Sequence, residues 1–121
     1  VAERLFMDDD PMQLLPFTGQ CHYLHGRVGY AQGPQVPDPR APEYKPKIAS
    51  HLHWWINVWE SMASRGYRFI TMTPEFGTDG YLHLMPYTKK PVTDLWSVNC
   101  WMAETLRERF ESFSVCMTAK K

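Results

Sequence analysis

The sequence lacks a long apolar run and an excess of charge of either sign. Its 13 basic side chains are balanced by 13 acidic ones, so we expect no attraction to a nucleic-acid backbone. No apolar stretch approaches the roughly 20 residues that cross a bilayer, so we expect no membrane partner. Charged residues interrupt the first ten positions, which is unlike a signal peptide.

Cysteine is also scarce. Cys21, Cys100 and Cys116 are odd in number and far apart, which favours free thiols in a reducing compartment, and we expect a cytoplasmic protein. Aromatic residues, by contrast, are plentiful: 5 Trp, 6 Tyr and 6 Phe among 121 residues. This content is typical of a folded chain, and the length suits one domain, 1–121, with one core.

Two apolar segments are typical of strands, and each ends beside a polar side chain. The first spans about 20–26 and contains His25, whereas the second spans about 67–73 and is followed by Pro74 and Glu75. Because proline cannot donate a ladder hydrogen bond, we expect pairing to stop before Pro74. Alternation in the second strand predicts one face made of Phe69, Thr71 and Thr73, and an opposite face made of Ile70 and Met72.

Two amphipathic segments predict helices. The first spans about 47–65 and ends before Gly66, and its apolar stripe is formed by Ile48, Leu52, Trp55, Trp59 and Met62. We expect Trp55 and Trp59 to pack on the sheet. The second helix spans about 91–113, with Pro91 in its first turn. Strands that alternate with long helices predict an α/β fold with parallel strands.

Histidines on the first helix are poor candidates for a metal site. His51 and His53 are two positions apart and face different directions, so we expect both to be surface or half-buried residues.

The segment 27–46 is rich in helix and strand breakers. Five prolines and two glycines fall between positions 29 and 46, so we expect a loop. Long loops in compact domains are usually functional or disordered. Because this one leaves the carboxyl end of a strand, we favour a binding loop, and a flexible linker is the alternative.

His25 and Glu75 form the candidate site. Both lie at the carboxyl ends of strands, where α/β proteins bind ligands. Neighbouring strands are about 4.8 Å apart, so the two side chains can converge on Mn²⁺, Co²⁺, Zn²⁺ or Mg²⁺. His22 and His25 point to opposite faces of a strand and cannot share an ion. The alternative for Glu75 is a solvated loop carboxylate.

Five motifs carry a family resemblance. They are His25-Gly-Arg-Val-Gly-Tyr30, Gly33-Pro-Gln-Val-Pro-Asp-Pro-Arg40, Thr73-Pro-Glu-Phe-Gly77, Pro86-Tyr-Thr88 and Leu95-Trp-Ser-Val-Asn99. Together they resemble the sugar phosphate isomerase/epimerase family, which has a xylose isomerase-like (β/α)₈ TIM barrel. The resemblance implies that His25 and Glu75 are metal ligands on the seventh and eighth strands. It also implies that Glu75 moves a proton beside a carbonyl, and that Arg27 contacts a sugar or sugar phosphate.

The resemblance covers only the C-terminal portion of such a barrel, which typically has about 250 residues. The family's other two ligands, a Glu and an Asp on earlier strands, have no counterpart before residue 20. The acidic triplet at 8–10 follows a predicted helix end rather than a strand, so we do not expect it to bind metal. We therefore expect the isolated chain to be incomplete and inactive, and to associate with itself or with the missing barrel portion. The alternative is a non-catalytic, oligomerising remnant of the family.

Overall fold

The computed structural model describes residues 15–78 and 80–120 and has a mixed α/β architecture. In chain order its elements are α1 (Leu15–Thr18), β1 (Leu24–Gly26), a 3₁₀ turn (Pro42–Tyr44), α2 (Lys45–Ser64), β2 (Met72–Pro74) and α3 (Leu95–Ala119). The predicted N-terminal helix end and the acidic triplet at 8–10 lie outside these ranges. The three cysteines carry free thiols.

The two strands pair in parallel, as the order of elements predicted. Leu24 lies opposite Met72, and Gly26 lies opposite Pro74. The prediction of seven-residue strands was wrong, because each strand has only three residues. Before β1 the chain is still in a turn, in which the Cys21 N–H donates to the Thr18 carbonyl. Pairing includes Pro74 and ends there, one residue later than predicted.

The chain before β2 follows the predicted alternation without pairing. Ile70 and Met72 pack against the core. Phe69 and Thr71 are exposed, so this part of the apolar run lies outside the sheet. The Tyr67 N–H donates to the Met62 carbonyl at 3.1 Å, which keeps the start of the run in the turn that closes α2.

Helix α2 begins two residues earlier than predicted and ends one residue earlier. It continues from the 3₁₀ turn, and Pro46 occupies its first turn, where a missing N–H costs no helical hydrogen bond. Gly66 follows its end with φ +86. This positive φ is the conformation that glycine adopts most easily, and it confirms the predicted helix stop.

Helix α3 begins at Leu95, four residues after the predicted start. The Asp94 carboxylate accepts a hydrogen bond from the Ser97 N–H at 2.8 Å, which fixes the first turn. Pro91 instead forms an isolated bridge with Leu84, so its predicted place in the helix was wrong. The helix runs to Ala119, six residues beyond the predicted end.

One apolar core joins the helices to the strands. Trp55 and Trp59 are buried in the same cluster as Leu24 of β1. Trp59 also packs edge-to-face on Phe110 of α3, with ring centroids 5.2 Å apart. At Gly26, a Cβ atom would lie 2.8 Å from Leu106 Cδ1. Glycine at the end of β1 therefore lets α3 cross the strand closely.

The two strands of the described ranges do not form a closed barrel. Each strand pairs along one edge only, whereas a barrel of this class has eight strands. Within 15–78 and 80–120 the chain has no helix that is both long and apolar enough to cross a membrane.

Candidate functional site

The parallel register brings together three side chains, His25, Arg27 and Glu75, which we call the carboxyl-end site. His25 lies within β1, opposite Thr73, and Arg27 directly follows the same strand. Glu75 directly follows β2, and its N–H donates to the Gly26 carbonyl at 3.3 Å. This bond lies just beyond the last paired residues, and it holds Glu75 beside β1.

The Glu75 carboxylate is the centre of the site. Its Oε2 lies 2.6 Å from His25 Nδ1, and its Oε1 accepts from Arg27 Nη2 at 2.7 Å. The Arg27 Nε–H also donates to the Glu75 backbone carbonyl at 3.0 Å. Because a carboxylate only accepts, His25 Nδ1 carries the proton of this bond. Its Nε2 has no hydrogen-bond partner within residues 15–78 and 80–120.

The three side chains of the site differ in how far they are exposed to solvent. The His25 and Glu75 side chains are 52% and 39% exposed, whereas Arg27 is only 21% exposed. The Arg27 guanidinium stacks on Tyr81, 4.2 Å from the ring centroid, which limits the rotamers of this long side chain. Arg27 is therefore preorganised, while His25 and Glu75 remain open to a ligand.

Two side-chain amides hold the backbone that follows Glu75. Gln35 bonds both the N–H and the carbonyl of Gly77. Asn99 bonds both backbone groups of Phe76 in the same way. No periodic pattern predicts these roles, since Gln35 lies in the breaker-rich loop and Asn99 is a polar residue on a helix.

His51 differs from its prediction, because it is only 3% exposed. Its Nδ1–H donates to the Lys47 carbonyl at 2.7 Å, and its Nε2 accepts from the Gly29 N–H at 3.2 Å. Burial lowers the pKa of His51 from 6.5 to about 4. His53, two residues further along α2, is exposed as expected.

Asp38 forms a separate network in the loop that follows β1. It pairs with Arg40 at 2.7 Å and accepts from the Thr93 hydroxyl at 2.7 Å. The hydrogen bond from Arg40 is the main cause that lowers the pKa of Asp38 to about 2. This network ties the loop after β1 to the residues before α3, so the loop is anchored there.

A cleft of about 210 Å³ borders the carboxyl-end site. His25 and Arg27 line one part of it, and His51 lies in its wall. The apolar part of the wall is formed by Phe17, Tyr23, Leu24, Trp54, Trp55 and Val58. The cleft gives a small ligand access to the polar groups from an apolar side.

The site offers two metal-ligating side chains. An imidazole nitrogen and a carboxylate oxygen suit the first-row divalent ions. The 2.6 Å between His25 Nδ1 and Glu75 Oε2 is a hydrogen bond, so an ion would replace the Nδ1 proton or bind the ring through Nε2. No group of three His, Cys, Asp or Glu side chains within the described ranges is placed to hold an ion. Two side chains are fewer than the three or four protein ligands of a typical zinc site, so an ion held here would need further ligands.

Comparisons with protein-family models, curated proteins and solved structures found no match for this chain.

Proposed function

We propose that this chain supplies the seventh and eighth strands of a divalent-metal-dependent sugar or sugar phosphate isomerase/epimerase. The observation that carries the proposal is the convergence of His25, Arg27 and Glu75 at the carboxyl ends of two adjacent parallel strands. Catalytic groups of barrel enzymes occupy this end. The motifs quoted above, which contain all three residues, support the same reaction class.

Each residue has a separate role in this proposal. His25 and Glu75 would hold the metal ion, which would supply positive charge that polarises the substrate oxygens. The Glu75 carboxylate takes a proton from the carbon beside the carbonyl and returns it to complete the isomerisation or epimerisation. Arg27 binds a sugar hydroxyl or phosphate through its guanidinium. With two ligands in place, the isolated chain binds metal weakly and does not turn over substrate.

Calorimetric titration with Mn²⁺, Co²⁺, Zn²⁺ and Mg²⁺ tests the metal site. We expect micromolar binding of at least one ion, lost in both His25→Ala and Glu75→Ala. His53→Ala is the matched control, because it removes an exposed histidine from α2 and should leave the affinity unchanged. Binding that survives both site substitutions would overturn the assignment.

Saturation-transfer NMR with aldoses, ketoses and their phosphates tests the substrate class. We expect transfer to at least one sugar phosphate, lost in Arg27→Ala and kept in the exposed control Arg68→Ala. Equal melting temperatures for the two variants would separate ligand binding from folding. No transfer to any sugar from the wild type would reject the sugar assignment.

A second candidate function is assembly without catalysis. It is favoured by large apolar side chains that the described chain leaves exposed, among them Phe69 at 85%, Trp96 at 78% and Tyr87 at 99%. Together with the unpaired strand edges, these groups are typical of a surface that binds another chain. The two candidates differ in the calorimetric titration, since a purely assembling protein needs no metal affinity at His25 and Glu75.

A further inference from the structure

Two carboxamides bind the chain that leaves β2, and they do so with the same pattern. Gln35 Oε1 accepts from the Gly77 N–H at 2.8 Å, and Gln35 Nε2 donates to the Gly77 carbonyl at 3.1 Å. Asn99 Oδ1 accepts from the Phe76 N–H at 2.9 Å, and Asn99 Nδ2 donates to the Phe76 carbonyl at 3.1 Å. Each amide satisfies both backbone groups of one residue, as a neighbouring strand would.

The two amides come from different parts of the chain. Gln35 is 3% exposed and lies in the loop after β1, where its own carbonyl lies 3.3 Å from His83 Nε2. Asn99 lies on α3, and its Nδ2 also donates to the Leu95 carbonyl at 3.1 Å. The segment that follows Glu75 is therefore held from two sides by separately anchored groups.

The backbone of Phe76 needs hydrogen-bond partners because it is buried. Phe76 is 4% exposed, and a buried backbone group without a hydrogen-bond partner destabilises the native state. Without either amide, the segment would have to move toward water to satisfy its backbone. Such a movement would strain the bonds that hold Glu75 to His25, to Arg27 and to the Gly26 carbonyl.

We propose that Gln35 and Asn99 are positioning residues for the carboxyl-end site. They act through the backbone of residues 76 and 77, and they keep the Glu75 carboxylate within hydrogen-bond distance of His25 and Arg27. Groups that orient a metal ligand typically change the metal affinity by about 10- to 100-fold when they are replaced. The metal-affinity part of the proposal rests on the proposed function, whereas the orientation of Glu75 does not.

Gln35→Glu and Asn99→Asp are the informative variants. Each keeps the size of the side chain and replaces the donating NH₂ group by an oxygen, so the bond to the backbone carbonyl is lost. Gln32→Glu and Asn57→Asp are matched controls with the same change of charge. Gln32 is exposed in the same loop, and Asn57 Nδ2 donates to the His53 carbonyl of its own helix.

The first measurement is NMR of the metal-free protein, at a temperature where every variant is folded. In the wild type, the bond to Glu75 should hold the neutral His25 ring in the tautomer that carries its proton on Nδ1, which the ring ¹⁵N shifts report. We expect the fraction of this tautomer to fall in Gln35→Glu and Asn99→Asp and to stay unchanged in both controls. Faster exchange of the residue 76 and 77 amides with an unchanged His25 tautomer would overturn the proposal, because Gln35 and Asn99 would then stabilise the loop without orienting Glu75.

The second measurement is the Mn²⁺ dissociation constant. We expect it to rise about 10- to 100-fold in Gln35→Glu and Asn99→Asp, and to stay within about twofold in the controls. An equal change in variants and controls would mean that added charge, not position, alters the affinity, and it would overturn the positioning role. Absence of Mn²⁺ binding in the wild type would reject the metal function alone, and the His25 tautomer measured by NMR would then decide the proposal.

Discussion

The buried side chain of His51 makes the stability of the fold depend on pH. Its two ring nitrogens have opposite roles, since Nδ1 donates to the Lys47 carbonyl and Nε2 accepts from the Gly29 N–H. A second ring proton would place two donors face to face at Gly29. Burial therefore keeps the His51 ring neutral and lowers its pKa to about 4.

We predict that the protein loses stability between pH 7.5 and pH 5. In this range the unfolded chain protonates His51 with a pKa near 6.5 while the folded chain does not, so acid favours unfolding. The expected loss in the free energy of unfolding is about 2 kcal/mol at pH 5. Urea denaturation at several pH values measures it. Asp38, with a pKa of about 2, titrates below this range.

His51→Gln and His53→Gln provide the comparison. The first substitution removes the buried imidazole and should flatten the pH dependence, although it also lowers stability at pH 7.5. The second removes an exposed imidazole and should keep the wild-type slope. The same slope in all three proteins would show that His51 does not cause the acid sensitivity.

The sequence predicted the positions of His25 and Glu75 but not the residues that surround them. Strand alternation and the breaker after each strand place both residues at adjacent carboxyl ends, and the structure brings them together. The Arg27–Glu75 pair and the roles of Gln35 and Asn99 depend on how the loop folds back, which has no periodic signal. The burial of His51 depends on Gly29, 22 residues away in the sequence.

The helices were easier to predict than the strands, for a physical reason. A helix needs only local hydrogen bonds and an apolar stripe, so the stripe of α2 predicted its extent to within two residues. The length of a strand depends on its partner, and the two apolar segments pair only over the three residues of β1 and the three of β2. The start of α3 was missed because the Asp94 cap determines it, rather than Pro91.

The tryptophans of the two long helices provide a test of the core. Trp59 on α2 is fully buried and contacts Phe110 and Phe113. We predict that Trp59→Ala destabilises the fold by about 3–5 kcal/mol and lowers the melting temperature by more than about 10 °C. Calorimetry or thermal circular dichroism measures the shift.

Trp96 on α3 is the matched control, because its side chain is 78% exposed. Trp96→Ala should change the melting temperature by no more than about 2 °C. Trp59→Phe should be milder than Trp59→Ala, since it keeps an aromatic ring and removes an indole N–H that has no hydrogen-bond partner within the described ranges. Similar effects at positions 59 and 96 would contradict the core assignment.

The described part of the molecule exposes strand edges and large apolar side chains to solvent. Both strands of the described sheet have an unpaired edge, and Phe69, Tyr87 and Trp96 are largely exposed. We predict that the protein forms dimers or larger assemblies at tens of micromolar, as measured by light scattering after size exclusion. A monomer with ordered near-ultraviolet and far-ultraviolet circular dichroism would contradict this prediction.

The pairing of β1 with β2 has a consequence for folding kinetics. His25 and Glu75 are 50 positions apart in the chain, and α2 lies between them. Closing a loop of this length costs about 3–4 kcal/mol of chain entropy, whereas α2 and α3 form through local contacts. A nascent chain that ends before β2 therefore contains His25 and Arg27 but lacks Glu75, so its site is incomplete. A ligand that contacts both His25 and Glu75 binds only after β1 and β2 have paired. Such a ligand therefore slows unfolding and does not speed the earlier folding steps.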